Sequence, residues 1–148
     1  MGLLNILRQL LGGSPAPSSA TEAQTATPPP PERAPEPEPI SVPEIEAREL
    51  LTLWRERKDE PLILLDCREG FERWIARIPD SLHIPMGQIP RRLEELDREA
   101  EIIVYCAHGN RSYSVAGFLI QNGFRARSLK GGIAEWQALG GEIARGRE

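Results

Sequence analysis

Residues 102–112 read IIVYCAHGNRS, and the chain continues through residues 113–121 as YSVAGFLIQ before Asn122-Gly123. Ile102 to Tyr105 is a continuous apolar run, the pattern of a strand buried on both faces, and it ends at Cys106. Ser112 to Gln121 is an apolar helix stopped by Asn122-Gly123, a natural C-terminal cap. A cysteine placed between such a strand and helix faces successive backbone N–H groups and the positive end of the helix. Both lower a thiol pKa and favour the thiolate, which is the nucleophile. Gly109 allows the backbone angles that a tight loop needs. Arg111 adds a permanent charge and a planar fork suited to oxyanions, and Ser112 brings a hydroxyl to the loop or the helix cap. The plainer alternative is a buried structural cysteine followed by a capped helix.

Working outward, strand and helix signals alternate. Leu62–Leu65 is a second buried apolar run, ending in Asp66-Cys67. Leu82-His83-Ile84 is a short strand closed by Pro85, and Ala126–Leu129 is a last one. Between them the pattern predicts a helix from Ile45 to about Arg57, with Ser41 as N-cap, Pro43 in the first turn and Glu44 closing a capping box. Phe71 and Trp74 predict a short helix. Ile89, Leu93 and Leu96 recur at helical spacing and predict another, and Ile133–Leu139 forms the last before Gly140-Gly141. The fold class expected is α/β, a small parallel sheet sandwiched by helices. Ligands in such sheets bind beyond the carboxyl ends of the strands, where Asp66, Cys67 and Cys106 fall.

Of 148 residues, 40% are apolar and 27% charged, and the formal net charge is −4. No basic cluster is long enough for a nucleic-acid stripe; Arg91-Arg92 reads as a solvated helix face. No stretch reaches the roughly 18 apolar residues needed to span a bilayer. Ten of the 14 prolines lie between Met1 and Pro43. Three parts follow: a short amphipathic helix over residues 1–11, a disordered Pro/Ala/Ser-rich linker over 12–39, and a domain over 40–147 with room for one modest core. Leu3, Leu4, Ile6, Leu7, Leu10 and Leu11 share one helical face. That face is expected to meet a membrane surface or a protein partner, or to dock on the chain's own domain. Polar Asn5, Arg8 and Gln9 argue against a signal peptide, and Ile6 stands where a myristoylation motif has Ser or Thr.

Four residues, Ala107, His108, Gly109 and Asn110, separate Cys106 from Arg111. Cysteine-based phosphatases have five there, and the tighter loop suits one extra sulfur atom better than a tetrahedral phosphate. The segment Cys106–Ser112 resembles the active-site loop of the rhodanese family. Leu65-Asp66-Cys67-Arg68-Glu69 is similar to that family's Asp-Val-Arg-Glu segment, and Ile78-Pro79 with His83-Ile84-Pro85 to its paired His-Ile-Pro stretches. Gly131-Gly132-Ile133-Ala134-Glu135-Trp136 resembles the Gly-Gly…Trp element after the last strand.

The resemblance implies a rhodanese-like αβα fold and sulfurtransferase chemistry that needs no cofactor and no metal. Cys106 would take the sulfane sulfur of a small donor such as thiosulfate or a persulfide, and a thiol or cyanide acceptor would remove it. The loop amides of Ala107 to Ser112 would stabilise the persulfide, and Arg111 would hold the loop or orient an anionic donor. Asp66, Cys67 and Arg68 are expected on the rim of the same site, with Cys67 either a small buried hydrophobe or a resolving thiol.

Departures are local. Ala76-Arg77 and Asp80-Ser81 replace the usual Gly-His and Gly-Ala, and Ala107 stands where thiosulfate-proficient members often carry a basic residue. A non-catalytic binding module on the same fold, localised by residues 1–11, is the alternative from another functional class. A persulfide-forming thiol suits a reducing compartment, so the expected location is cytoplasmic, with peripheral membrane association through residues 1–11.

Overall fold

Apolar runs bounded by Pro, Gly and charged residues become strands in order along the chain. A computed structural model describes residues 26–36, 39–57 and 61–148. The helix expected over residues 1–11 lies outside them, and so does most of the expected linker. Its stretch 26–36 is exposed chain with neither helix nor strand. From residue 39 onward, β1 (Glu44–Ile45), α1 (Ala47–Glu56), β2 (Leu62–Asp66), α2 (Gly70–Ile75), β3 (Leu82–His83), β4 (Glu101–Tyr105), α3 (Asn110–Gln121), β5 (Arg125–Leu129) and α4 (Gly132–Ala138) follow one another. The sheet order is β1-β5-β4-β2-β3, and every pairing is parallel.

Side chains alternate across a strand, so each strand feeds two cores. Leu65, Cys67, Ile102, Val104 and Cys106 face α3 and pack with Val115, Ala116 and Leu119. Leu64, Ile103 and Tyr105 face the other way, towards Leu50 of α1 and Ile133 and Trp136 of α4. Helices therefore cover both faces, as expected. Trp136 is fully buried and donates its indole N–H to Glu142 O at 2.8 Å.

Two local expectations are corrected. The first helix begins at Ala47, and its capping box is Glu46 with Glu49. Residues 43–45 are instead drawn into an edge strand: Ser128 N–H donates to Pro43 O and Lys130 N–H to Ile45 O, while Ile45 is fully buried. The helix expected over Ile89–Leu96 is two 3₁₀ segments, Met86–Arg91 and Leu93–Glu95. Pro90 has no N–H to donate and its ring disfavours an α conformation at Ile89, so only tighter, shorter turns form. The short helix expected at Phe71 and Trp74 forms as α2, with those two side chains 69% and 64% exposed. That helix stands on its Glu69–Glu72 capping box, and the residue it buries is Arg73.

Arg73 leads to a buried charge cluster beneath the carboxyl end of β2. The Asp66 carboxylate, at 0% exposure, accepts from the Arg68 backbone N–H (3.0 Å), from Arg68 Nε and Nη2 (both 2.9 Å), from Tyr105 OH (3.0 Å) and from Arg73 Nη1 (3.3 Å). Arg73 also donates to Ser81 Oγ and O. Removing one member of such a set leaves buried charge uncompensated. Asp66→Asn is therefore expected to cost about 3–5 kcal/mol in urea unfolding followed by circular dichroism; a loss below about 1 kcal/mol would mean that the cluster does not hold the fold.

Candidate active site

Cys106 is the first residue past β4, where the chain must turn back to start α3. Gly109 makes the turn as the helix N-cap, with φ of 104°. A Cβ there would be strained, and it would stand 3.2 Å from Gly131 N. Gly132 approaches more closely still: a Cβ on it would lie 2.5 Å from the carbonyl atoms of Ala107 and from Cys106 O. The bare backbone lets the first turn of α4 take the loop carbonyls, Ile133 N–H donating to Cys106 O (2.9 Å) and Ala134 N–H to Ala107 O (3.2 Å). With its carbonyls engaged on that side, the loop turns N–H groups towards the cysteine sulfur.

The Cys106 Sγ accepts from Gly109 N–H at 3.0 Å and from Ser112 N–H at 3.4 Å, and it lies 3.5 Å from Ser112 Oγ. Ser112 is itself held by Ser128 Oγ of β5, 2.7 Å away. Burial opposes ionisation of Cys106. The Ser112 hydroxyl and the N–H groups of Ser112, Gly109 and His108 outweigh it, and the thiol pKa lies below its ordinary value. The sequence-predicted loop thus converges on one sulfur. Ala107 and Gly109 are half-buried, His108 and Asn110 are exposed, and Cys106 itself is 1% exposed.

Arg111 does not point its fork into empty space. Its two terminal nitrogens donate to the Glu72 carboxylate at 2.8 and 2.7 Å. Glu72 Oε2 also accepts the Glu69 N–H at 3.0 Å, closing the capping box of α2. Arg111 and the helix cap hold the Glu72 pKa down at about 2, and the same pairing raises that of Arg111. Glu72 was missed as a site residue by sequence reasoning. The available signal was the Glu69-x-x-Glu72 box at the carboxyl end of β2, on the rim already marked by Asp66 and Cys67.

Of the expected rim residues, all three are buried. Asp66 and Arg68 belong to the charge cluster on the Tyr105 face, where Arg68 Nε and Nη2 are taken by Asp66 and Ala76 O. Cys67 lies on the Cys106 face, one residue past the Asp66–Tyr105 pairing, and its thiol donates to Tyr105 O at 3.4 Å. Burial first, and then the neighbouring Cys106 and Asp66, push the Cys67 thiol up to about 12. Both cysteines are free thiols.

A cysteine at a strand end, in a loop of amides ahead of a helix, is matched over residues 49–139 by the family model for the rhodanese-like domain. The chain belongs to the rhodanese family. It is 36% identical over 96 residues to YtwF of Bacillus subtilis, covering 63% of this chain and 93% of that protein. It is 35% identical over 100 residues to a sulfurtransferase of Allochromatium vinosum, covering 67% and 92% respectively. Among solved structures, a rhodanese-related protein from Thermoplasma volcanium superposes with a TM-score of 0.64 at 31% identity, over 70% of this chain and 98% of that one. Among the described residues, no helix is long and apolar enough to cross a membrane.

The two cysteines should separate in a pH series of iodoacetamide labelling. Cys106 is expected to react with a midpoint below the ordinary thiol value of about 8.5, and Ser112→Ala to move that midpoint up. Cys67 is expected to stay unlabelled until the protein unfolds. Equal labelling of both thiols in the folded protein would contradict the assigned electrostatics.

Proposed function

We propose that the domain over residues 40–147 is a sulfurtransferase that carries a sulfane sulfur on Cys106. The observation that supports this most is the Cys106 sulfur itself, set among two backbone N–H groups and a hydroxyl within 3.5 Å. The sulfurtransferase activity named for the Allochromatium vinosum relative is consistent with it, as is the thiosulfate sulfurtransferase activity named for GlpE of Coxiella burnetii, 34% identical over 89 residues.

In the first half-reaction the Cys106 thiolate attacks the sulfane sulfur of the donor. A sulfur–sulfur bond forms to Cys106, the donor's own sulfur–sulfur bond breaks, and the leaving group departs with the electron pair: sulfite from thiosulfate, a thiolate from a persulfide. In the second half, a cyanide or thiolate acceptor attacks the terminal sulfur. The acceptor leaves as thiocyanate or as a new persulfide, and the Cys106 thiolate returns. The charge moves out by one atom on loading, from Sγ to the terminal sulfur, and in this reading the remaining loop N–H groups of residues 107–112 would receive it. Preorganised dipoles of this kind need no rearrangement during reaction. Cys67, protonated and packed, acts as a small hydrophobe behind the loop.

Two-step covalent transfer predicts ping-pong kinetics. Initial rates with thiosulfate and cyanide should give parallel double-reciprocal lines, and Cys106→Ser should abolish turnover. Intersecting lines, or turnover that survives in Cys106→Ser, would remove the covalent intermediate from the account.

A further inference from the structure

The cation nearest the sulfur is already spoken for. Arg111 is the charged member of the Cys106 loop, and its guanidinium makes a bidentate pair with Glu72 at 2.7 and 2.8 Å. This is the geometry in which an Arg fork binds a carboxylate or other oxyanion most strongly. The Glu72 side chain is only 19% exposed, and its Oε2 is also fixed by the Glu69 N–H of its own helix cap. The carboxylate therefore cannot follow Arg111 if the arginine swings away, and a substrate anion has to displace it outright. Arg111 is the one Lys or Arg between Cys106 and Ser112. Arg68 and Arg73 are 4% and 5% exposed and are committed to Asp66. Ala107, Gly109 and Asn110 are uncharged, and His108 is an exposed imidazole outside the Arg111–Glu72 pair.

We propose that Glu72 determines donor specificity: by occupying the Arg111 fork it withholds the cation that would bind a doubly charged leaving group, and so biases the site towards persulfide donors over thiosulfate. The proposal rests on the sulfur-transfer reading of Cys106 but acts on the donor's charge, a separate property. Glu72 works through Arg111 and is a positioning residue. Gln at the same helix position still serves a capping box, so Glu72→Gln removes the charge and keeps the helix.

The test is thiosulfate binding by calorimetry in a Cys106→Ser background, where no turnover is needed. Adding Glu72→Gln is expected to tighten thiosulfate binding about tenfold, the scale of one charge-assisted hydrogen bond. Adding Arg111→Gln on top of Glu72→Gln is expected to remove that gain, because the freed fork is what binds the anion. With Cys106 restored, Glu72→Gln should lower KM for thiosulfate more than KM for an alkyl persulfide, which carries at most one negative charge. Equal or undetectable thiosulfate binding with and without Glu72→Gln would overturn the proposal, and so would a gain that survives the further change Arg111→Gln. Either result leaves sulfur loading of Cys106 to stand or fall on its own kinetics.

Discussion

The Asp66 carboxylate, fully buried at the end of β2, is the constraint on which the site depends. It holds Arg68 from its own strand end, Tyr105 from β4 and Arg73 from α2. α2 has almost no apolar anchor of its own, since Phe71, Trp74 and Ile75 are all exposed and Arg73 is what it buries. The carboxylate thus docks α2 through a charge. Docking α2 sets the position of Glu72, Glu72 sets Arg111, and Arg111 closes the far side of the Cys106 loop. The near side is set by Gly132, whose missing side chain admits the first turn of α4 against the loop carbonyls.

Period-2 alternation then separates two chemistries that are adjacent in sequence. Asp66 and Tyr105 fall on the face with the arginines, whereas Cys67 and Cys106 fall on the face packed against α3. Sharing that face does not make the two thiols alike. Cys106 has two N–H groups aimed at its sulfur and the Ser112 hydroxyl 3.5 Å away, while the Cys67 thiol donates to a carbonyl. Burial raises Cys67 first of all, whereas at Cys106 the hydrogen bonds to the sulfur outweigh burial, so one thiol is poised to ionise and the other is not.

What was legible in the sequence was local. The buried strands, the cysteine loop and its helix are contiguous, and each residue's role follows from its neighbours: apolar runs, Gly109 at the turn, Gly131-Gly132 after the last strand. What escaped was non-local. The two-residue strand β1 exists only because β5 offers it partners more than eighty residues away in sequence, and Glu72 reaches Arg111 across 39 residues. Arg68 looked like a pocket residue because its burial partner, Ala76 O, is invisible to spacing. The break at Pro90 was legible, but the apolar periodicity of Ile89, Leu93 and Leu96 masked it.

In the proposed reaction Cys106 Sγ carries the transferred sulfur and Cys67 does not. Intact-mass analysis after incubation with an alkyl persulfide or thiosulfate, followed by peptide mapping, tests it most directly. The account predicts a gain of about 32 Da located on the peptide containing Cys106 and lost again on adding cyanide. A gain located on Cys67, or no gain with either donor, would contradict it.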